Sequence, residues 1–301
     1  ATEPAHNFRR FIATGGNATT MTQQNYTIRP LSVAVGAEFE GIDLARPLDD
    51  EDIATIRETL AERCIVLFRG QELSPQQHIA FSARFGELAI QHPEHPELFM
   101  VSNLPVDGKP SDTRNVGRFW HSDLCYTKTP SMGSLLYARE VPAVGGDTVF
   151  ANMYRALDTL SEPFRNMLEG LRAVHDFSRS PGLRDRDPET SARMVAKVPP
   201  VEHPLIVTHP ESGKRSLFLS ENFTHRIVGM TDRESAAILD HLIANATRME
   251  NNYRHQWRAG DVVFWDNRCA MHYALADFDV DDPANRRHMH RTTIKGEAPR
   301  A

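Results

Sequence analysis

The sequence predicts an α+β fold with a mainly β core: an antiparallel barrel or sandwich with helices packed on its outside. Three observations lead there. Short strand-like runs outnumber helical ones, the two kinds do not alternate as a doubly wound parallel sheet would require, and glycine and proline punctuate the runs closely.

In chain order, residues 1–20, "ATEPAHNFRRFIATGGNATT", hold no sustained period and read as a tag or flexible leader, with Met21 a fresh start. Residues 21–301 are expected to form a single domain. From Ile28 the pattern turns to extended runs, "YTIRPLSV" and "AEFEGIDL", and a helical segment begins near Asp50. "RCIVLFRG" has the length and the β-branched and aromatic content of a buried strand ended by glycine. In "SPQQHIAFSARFG", Ser74 can cap, Pro75 suits the first helical position and Gln77 completes a capping box. Ile79 with Ala83 and Phe81 with Phe85 then give apolar pairs at i, i+4. Ser161 before "EPFRNMLEGL", and Thr231 with Glu234 before "SAAILDHLIANA", start two more helices. Strands are expected in "GSLLYARE", "GDTVFANM", "HPLIVTH", "RSLFLSE", "YRHQWRAGDVVFWDN" and "HRTTIKG", with turns at "VPAVGGD" and "HPESGKR". The stretch near 178–200 is polar, charged and proline-bearing, and reads as a mobile, lid-like insertion rather than core.

Composition narrows the function. A formal charge of −6, with basic residues scattered among acids, gives no basic stripe for a phosphate backbone, so nucleic acid is excluded as a partner. No apolar run nears the roughly 18 residues a membrane span needs, so no membrane partner is expected. Three cysteines without CxxC spacing suggest neither a disulfide framework nor a zinc knuckle, and place the protein in a reducing cytoplasm. There is no G-x-S-x-G elbow and no Walker A loop.

Chemistry enters at "RFWHSDLCY". Among fourteen histidines a His-x-acid pair arises readily by chance, and His92-Pro-Glu94, His95-Pro-Glu97 and His209-Pro-Glu211 share the outline of His121-Ser-Asp123. Those three carry proline between the partners and lie in Pro-rich polar segments, so they read as exposed loops. His121 and Asp123 sit in strand-like sequence, where residues i and i+2 share a face. An inward aspartate needs a cation beside it, which a divalent metal or a buried arginine would each supply. On the same reading Trp120 and Leu124 take the opposite face and Cys125 falls in phase with the pair. His272, in "VVFWDNRCAMHYAL", can be a third ligand or a satisfied core histidine. Two histidines and one carboxylate form the facial set that leaves three positions open on non-haem Fe(II). Downstream, in "NRRHMHRTT", a strand would put Arg287 and Arg291 on one face, roughly 13 Å apart at about 3.3 Å per residue. They would make two anion seats, or else a solvated patch paired with Asp277, Asp279, Asp281 and Asp282.

Taken together and in this order, "GAEFEGIDLARPL", "RFGEL", "WHSD", "GGDTVFANM", "GLRAVHDF", "HPLIVTHPESGK", "FTHRIVGMT", "WDNRCAMHYALADF" and "RRHMHRTT" resemble the taurine dioxygenase and 2,4-dichlorophenoxyacetate dioxygenase (TauD/TfdA) family of Fe(II)/2-oxoglutarate-dependent oxygenases, from about Ile28 to Lys295. The resemblance implies a double-stranded β-helix (jelly-roll, cupin-like), with iron held by His121, Asp123 and His272. It further implies 2-oxoglutarate and O2 as cosubstrates, the far carboxylate of 2-oxoglutarate seated on Arg287 and Thr148, and a substrate anion on Arg291. Succinate and CO2 would be released as a small organic anion is hydroxylated, a sulfonate or carboxylate with aryloxyalkanoates among the candidates. Halogenating relatives lack the carboxylate ligand, so Asp123 favours hydroxylation. A substrate histidine expected shortly after "FGEL" falls on Gln91 or His92, in competing registers, and "DFDVDDPAN" lengthens the loop before Arg287. Tyr126, Phe223 and Phe264 are candidate pocket walls or else core aromatics. Relatives are commonly dimers or tetramers, so a homo-oligomer is expected. The competing reading is a metal-dependent hydrolase or lyase on a cupin-like barrel without 2-oxoglutarate, which would have no use for Arg287 and Thr148. A non-catalytic binder of small anions is a third reading, and it would need no open metal face.

Overall fold

The computed structural model describes residues 26–90, 96–105, 108, 111–184 and 186–301. The leader, Gln91 and His92 lie outside the described residues. Its centre is a seven-stranded sheet in the order Thr27–Pro30, Ala37–Glu40, Ile65–Phe68, Val262–Asp266, Gly133–Glu140, His288–Ile294 and Phe99–Ser102. Neighbours run antiparallel except Ala37–Glu40 beside Ile65–Phe68, a parallel pair joined through the helix Asp50–Arg63. A second sheet, Asn252–His255, Thr148–Asn152 and Ala270–Ala274, supplies the other wall. Neighbours so distant in sequence are the signature of a jelly-roll, as expected.

Two strands explain why the core is double-faced. In Ile65–Phe68 and Val262–Asp266 every residue is buried, because the side chains alternate between two apolar layers. Val66, Phe68, Val262 and Phe264 turn toward the helices, with Phe81 and Phe85. Ile65, Leu67, Val263 and Trp265 turn toward the second sheet, with Phe150. This is why the two runs read as continuous apolar sequence rather than as polar-apolar alternation. Phe264 is fully buried with its ring 4.9 Å from that of Phe85. Phe264→Ala is therefore expected to cost about 3–5 kcal/mol of stability, read as a lowered urea midpoint.

The capping signals describe the helices well. Ser74 and Gln77 form the capping box of Pro75–Ala83, and Thr231 and Glu234 that of Asp232–Ala246. Ser161 Oγ accepts from Phe164 N at the start of Glu162–Leu168. Of the two apolar pairs proposed on Pro75–Ala83 and its extension, Phe81 with Phe85 joins the core, whereas Ala83 is exposed. Within 178–200 the chain forms the helix Pro188–Lys197, none of whose residues is buried. The predicted strand "HPLIVTH" is interrupted at Leu205, leaving Val201–Pro204 and Ile206–Thr208 in different sheets. Among the described residues no helix is long and apolar enough to cross a membrane.

Candidate active site

The site lies between the two sheets, and the second sheet builds its floor. Thr148–Asn152 and Ala270–Ala274 pair so that Phe150 faces His272 and Thr148 faces Ala274. His121 then forms a single antiparallel bridge to His272, N to O both ways at 3.1 and 2.8 Å, which brings the two imidazole centroids to 4.2 Å. The expected strand through "RFWHSDLCY" is corrected at this point. After the bridge the chain turns at Asp123–Tyr126, with Leu124 at a positive φ of 57°. The turn still sends Asp123 toward both histidines, but it reverses the neighbours. Leu124 lines the cavity, whereas Cys125 does not and is buried in an apolar cluster with Val207, Phe218 and the wall residues Phe119, Tyr126 and Phe223.

Asp123 is held from several directions. Ser134 Oγ donates to its Oδ2 at 2.8 Å, and its backbone N–H donates to Asn267 Oδ1 at 3.0 Å. Asn267 is itself fixed by Trp265 Nε1, which donates to the same oxygen, and by Ser131 Oγ, which accepts from its amide. Burial pushes the Asp123 carboxyl up, but Arg291, the two imidazoles and Ser134 outweigh it, holding the group below the ordinary carboxylate range. Burial, then the neighbouring His121, pushes His272 down to about 3, and burial lowers His121 as well. Both rings are therefore neutral near pH 7, with lone pairs to offer.

Donor atoms of His121, Asp123 and His272 all lie within 4.8 Å of one another. His121 Nδ1 bonds to Phe119 O at 2.7 Å, which fixes the tautomer and leaves Nε2 as the ligand atom, 3.9 Å from Asp123 Oδ1. His272 Nδ1 is buried without a hydrogen-bond partner. Two neutral imidazoles and an ionised carboxylate, buried and converging, fit a divalent ion of the non-haem iron type.

Both arginines reach the same cavity, of about 710 Å³. Arg287 is buried, its Nε donating to Gly146 O at 3.3 Å, and its backbone N–H is held by Asn103 Oδ1 at 2.8 Å. Burial, then the charge of Arg118, lowers it to about 10, so it remains a cation at neutral pH. The Gly145–Gly146 turn makes room for it. Both glycines have positive φ, and a Cβ on Gly146 would sit 3.4 Å from Arg287 Cδ and Nε. Asp277 braces this turn by accepting from Gly146 N at 2.7 Å and pairs with Arg254 rather than with Arg287 or Arg291. Thr148 Oγ1 accepts from Trp257 Nε1 at 3.0 Å, so its own proton can be donated into the cavity.

Arg291 sits where the two explanations of Asp123 meet. Its Nη1 lies 3.3 Å from Asp123 Oδ1, its guanidinium stacks over Phe99 at 4.9 Å, and its Nε is buried without a partner. Asp123 thus has a partly buried arginine beside it as well as two histidines. Tyr126 and Phe223 line the cavity as wall candidates, whereas Phe264 is core. Ser180, Pro181, Gly182 and Arg186, from the insertion, close one side. Sequence reasoning missed Ser134 and Asn267, which hold Asp123, and Arg118, which lines the cavity.

One rival motif also needs correcting. His209, expected in an exposed loop, is buried, and its Nε2 bonds to Asp266 Oδ2 at 3.0 Å. Its Nδ1 accepts from the backbone N–H groups of Glu211 and Ser212. Although His209, Asp266 and Cys269 also converge within 4.8 Å, both ring nitrogens are used and no lone pair remains for a metal. The group is a structural clasp, completed by Arg268 Nη2 on Asp266 Oδ2 at 2.6 Å.

The family described as "Taurine catabolism dioxygenase TauD, TfdA family" matches residues 27–293. The alpha-ketoglutarate-dependent 2,4-dichlorophenoxyacetate dioxygenase of Cupriavidus pinatubonensis is 36% identical over 285 residues, covering 89% of this chain and 97% of the relative. The alpha-ketoglutarate-dependent sulfate ester dioxygenase of Pseudomonas putida is 34% identical over 280 residues, covering 90% of each. The crystal structure of AAD-2 in complex with Mn(II) and N-oxalylglycine superposes with a TM-score of 0.78 at 30% identity, covering 92% of this chain and all of the other.

Proposed function

Because the chain belongs to the TauD/TfdA family, and is therefore an Fe(II)- and 2-oxoglutarate-dependent dioxygenase rather than a hydrolase, we propose that it hydroxylates a small organic anion at the site just described. The observation that carries this reading is the convergence of His121, Asp123, His272, Thr148, Arg287 and Arg291 on one cavity. We assign the first three as the iron ligands, Arg287 and Thr148 as the seat of the far carboxylate of 2-oxoglutarate, and Arg291 as the seat of the substrate's anionic group. When bound, iron, 2-oxoglutarate and O2 supply an oxidative decarboxylation to succinate and CO2 and the oxidising equivalent for hydroxylation.

The chain's own residues do the positioning. Ser134 and Asn267 keep the Asp123 carboxylate aimed inward, and the Phe119 carbonyl fixes the His121 tautomer. Arg291 contacts Asp123 only at 3.3 Å, and its buried Nε is unpartnered, so it has donors to offer an incoming anion. Phe119, Tyr126 and Phe223, whose ring centroids lie 4.6 to 5.3 Å apart in successive pairs, form an apolar wall suited to the organic part of a substrate and to excluding water. This wall supports an aryloxyalkanoate, or an alkyl or aryl sulfonate or sulfate ester, over a smaller and wholly polar anion. The insertion near 178–200 is assigned as the lid over this cavity. Buried free cysteines suit a cytoplasmic enzyme, and a homodimer or homotetramer is the assembly we infer from family resemblance.

The test is succinate release across a panel of sulfonates, sulfate esters, aryloxyacetates and amino-acid derivatives. Stimulation by at least one of the first three classes is expected, and Arg291→Ala should lower kcat/KM for the best of them on the order of 30-fold or more. Turnover of that anion unchanged by Arg291→Ala would remove the role given to Arg291. Stimulation by amino-acid derivatives alone would overturn the substrate class.

A further inference from the structure

The strand that carries Arg291, and that Arg287 immediately precedes, has a second chemically distinct face. His288 and His290 occupy alternate positions of His288–Ile294, and the buried Met289 between them points the other way. Their Nε2 atoms lie 3.2 Å apart, with ring centroids 5.0 Å apart and ring planes at 87°. The strand is paired on both sides, with Phe99–Ser102 and with Gly133–Glu140, the latter ladder shifting register between His288 and Met289. Both histidines are half-buried, open enough for an ion to enter.

The spacing is that of two ligands on one metal. With metal–nitrogen bonds of roughly 2.0–2.1 Å, cis nitrogens stand about 2.9 Å apart at a right angle and about 3.3 Å apart at the tetrahedral angle. The observed 3.2 Å falls inside that interval. His288 Nδ1 lies 3.2 Å from Ser102 Oγ, which also accepts from Leu104 N. A proton on Nδ1 donated to Ser102 leaves the lone pair of His288 on Nε2, facing its neighbour, in the arrangement that outer partners impose on metal-bound imidazoles. Without an ion, one ring donates its Nε2–H to the other, and a metal takes that proton's place. Glu140 stands directly across the ladder from His288 but is engaged by Arg286 at 2.5 and 3.1 Å, so it is not counted among the ligands.

We propose that His288 and His290 form a second metal site, separate from the His121–Asp123–His272 set, for a borderline divalent ion of the Ni(II), Cu(II) or Zn(II) type that imidazole prefers. The site lies on the reverse face of the segment that presents Arg287 and Arg291.

The test is calorimetric titration of the full chain with Ni(II), with Cu(II) paramagnetic resonance as a second readout. His121→Ala, which breaks the inner set, should still take up about one equivalent with nitrogen hyperfine structure on Cu(II). Adding His288→Ala or His290→Asn to that background should abolish both signals while the urea midpoint stays near that of the His121→Ala protein. Binding that survives both second substitutions, or no binding in His121→Ala itself, would overturn the proposal. Because the inner set is disabled throughout, the result does not depend on the dioxygenase reading.

Discussion

Replacing Asp123 by alanine is expected to abolish iron binding and to lower turnover on the order of 10⁴-fold, the scale of loss when one member of a group that acts as a unit is removed. The expectation rests on how much of the fold serves this one carboxylate. Ser134, Asn267 and, through Asn267, Trp265 and Ser131 orient it, and the neighbouring positive charge keeps it ionised despite burial. Its removal leaves two neutral imidazoles, which lack the negative charge that helps retain a divalent ion, and leaves Arg291 without its contact at 3.3 Å. Arg291 is about a fifth exposed and can turn toward solvent, so the fold should survive better than the function. The measurement is the weak visible charge-transfer band on anaerobic addition of Fe(II) and 2-oxoglutarate, which wild type should give and the variant should not. Ser134→Ala keeps the ligand and loses only its orientation, so it should weaken metal affinity by roughly 10–100-fold without abolishing the band. A wild-type strength band in Asp123→Ala, with turnover within tenfold, would remove Asp123 from the ligand set.

What the sequence made legible divides along a physical line. Capping boxes, glycine-ended apolar runs and two-residue alternation are local, and they located Pro75–Ala83, Asp232–Ala246, Gly133–Glu140 and Ile65–Phe68 closely, whereas the single run "YRHQWRAGDVVFWDN" proves to be two strands, Asn252–His255 and Val262–Asp266, in different sheets. His121, Asp123 and His272 and the arginine pair, which the family resemblance singled out, do converge on one cavity. Three things were hidden because their cause is non-local. The turn after His121 depends on a bridge to His272, 151 positions away, so period-two reasoning aimed Asp123 correctly but exchanged Leu124 and Cys125. His209 looked like a loop residue because of the proline beside it. Asp266, from a distant strand, supplies the partner that makes burial affordable. Ser134 and Asn267 look like ordinary polar residues within apolar segments until pairing places them against Asp123.

Arg287→Met is expected to raise the KM for 2-oxoglutarate by roughly 30-fold to 1,000-fold or more, the equivalent of about 2–4 kcal/mol for truncating one partner of a buried charged pair. Arg287 is buried and turned into the cavity over a turn of two glycines, with the Thr148 hydroxyl in the same lining and Arg118 as a second cation of the wall. Desolvation makes the guanidinium costly when empty and strongly attractive to a carboxylate. Lysine keeps the charge but not the fork, so Arg287→Lys should fall between wild type and Arg287→Met. A positional loss differs from general damage in three readouts: the Fe(II) affinity and the KM of the primary substrate should hold, and the preference for 2-oxoglutarate over a 2-oxo acid lacking the far carboxylate should collapse. Gly146→Ala is the steric counterpart, because its backbone needs positive φ and an added Cβ would crowd Pro142 Cγ at 3.1 Å and touch Arg287 Cδ and Nε at 3.4 Å. It should raise the same KM by a smaller factor and lower the 2-oxo acid preference in the same proportion. If Arg287→Met left that preference unchanged, the far carboxylate would have to be seated elsewhere, and Arg118 would be the cation to test next.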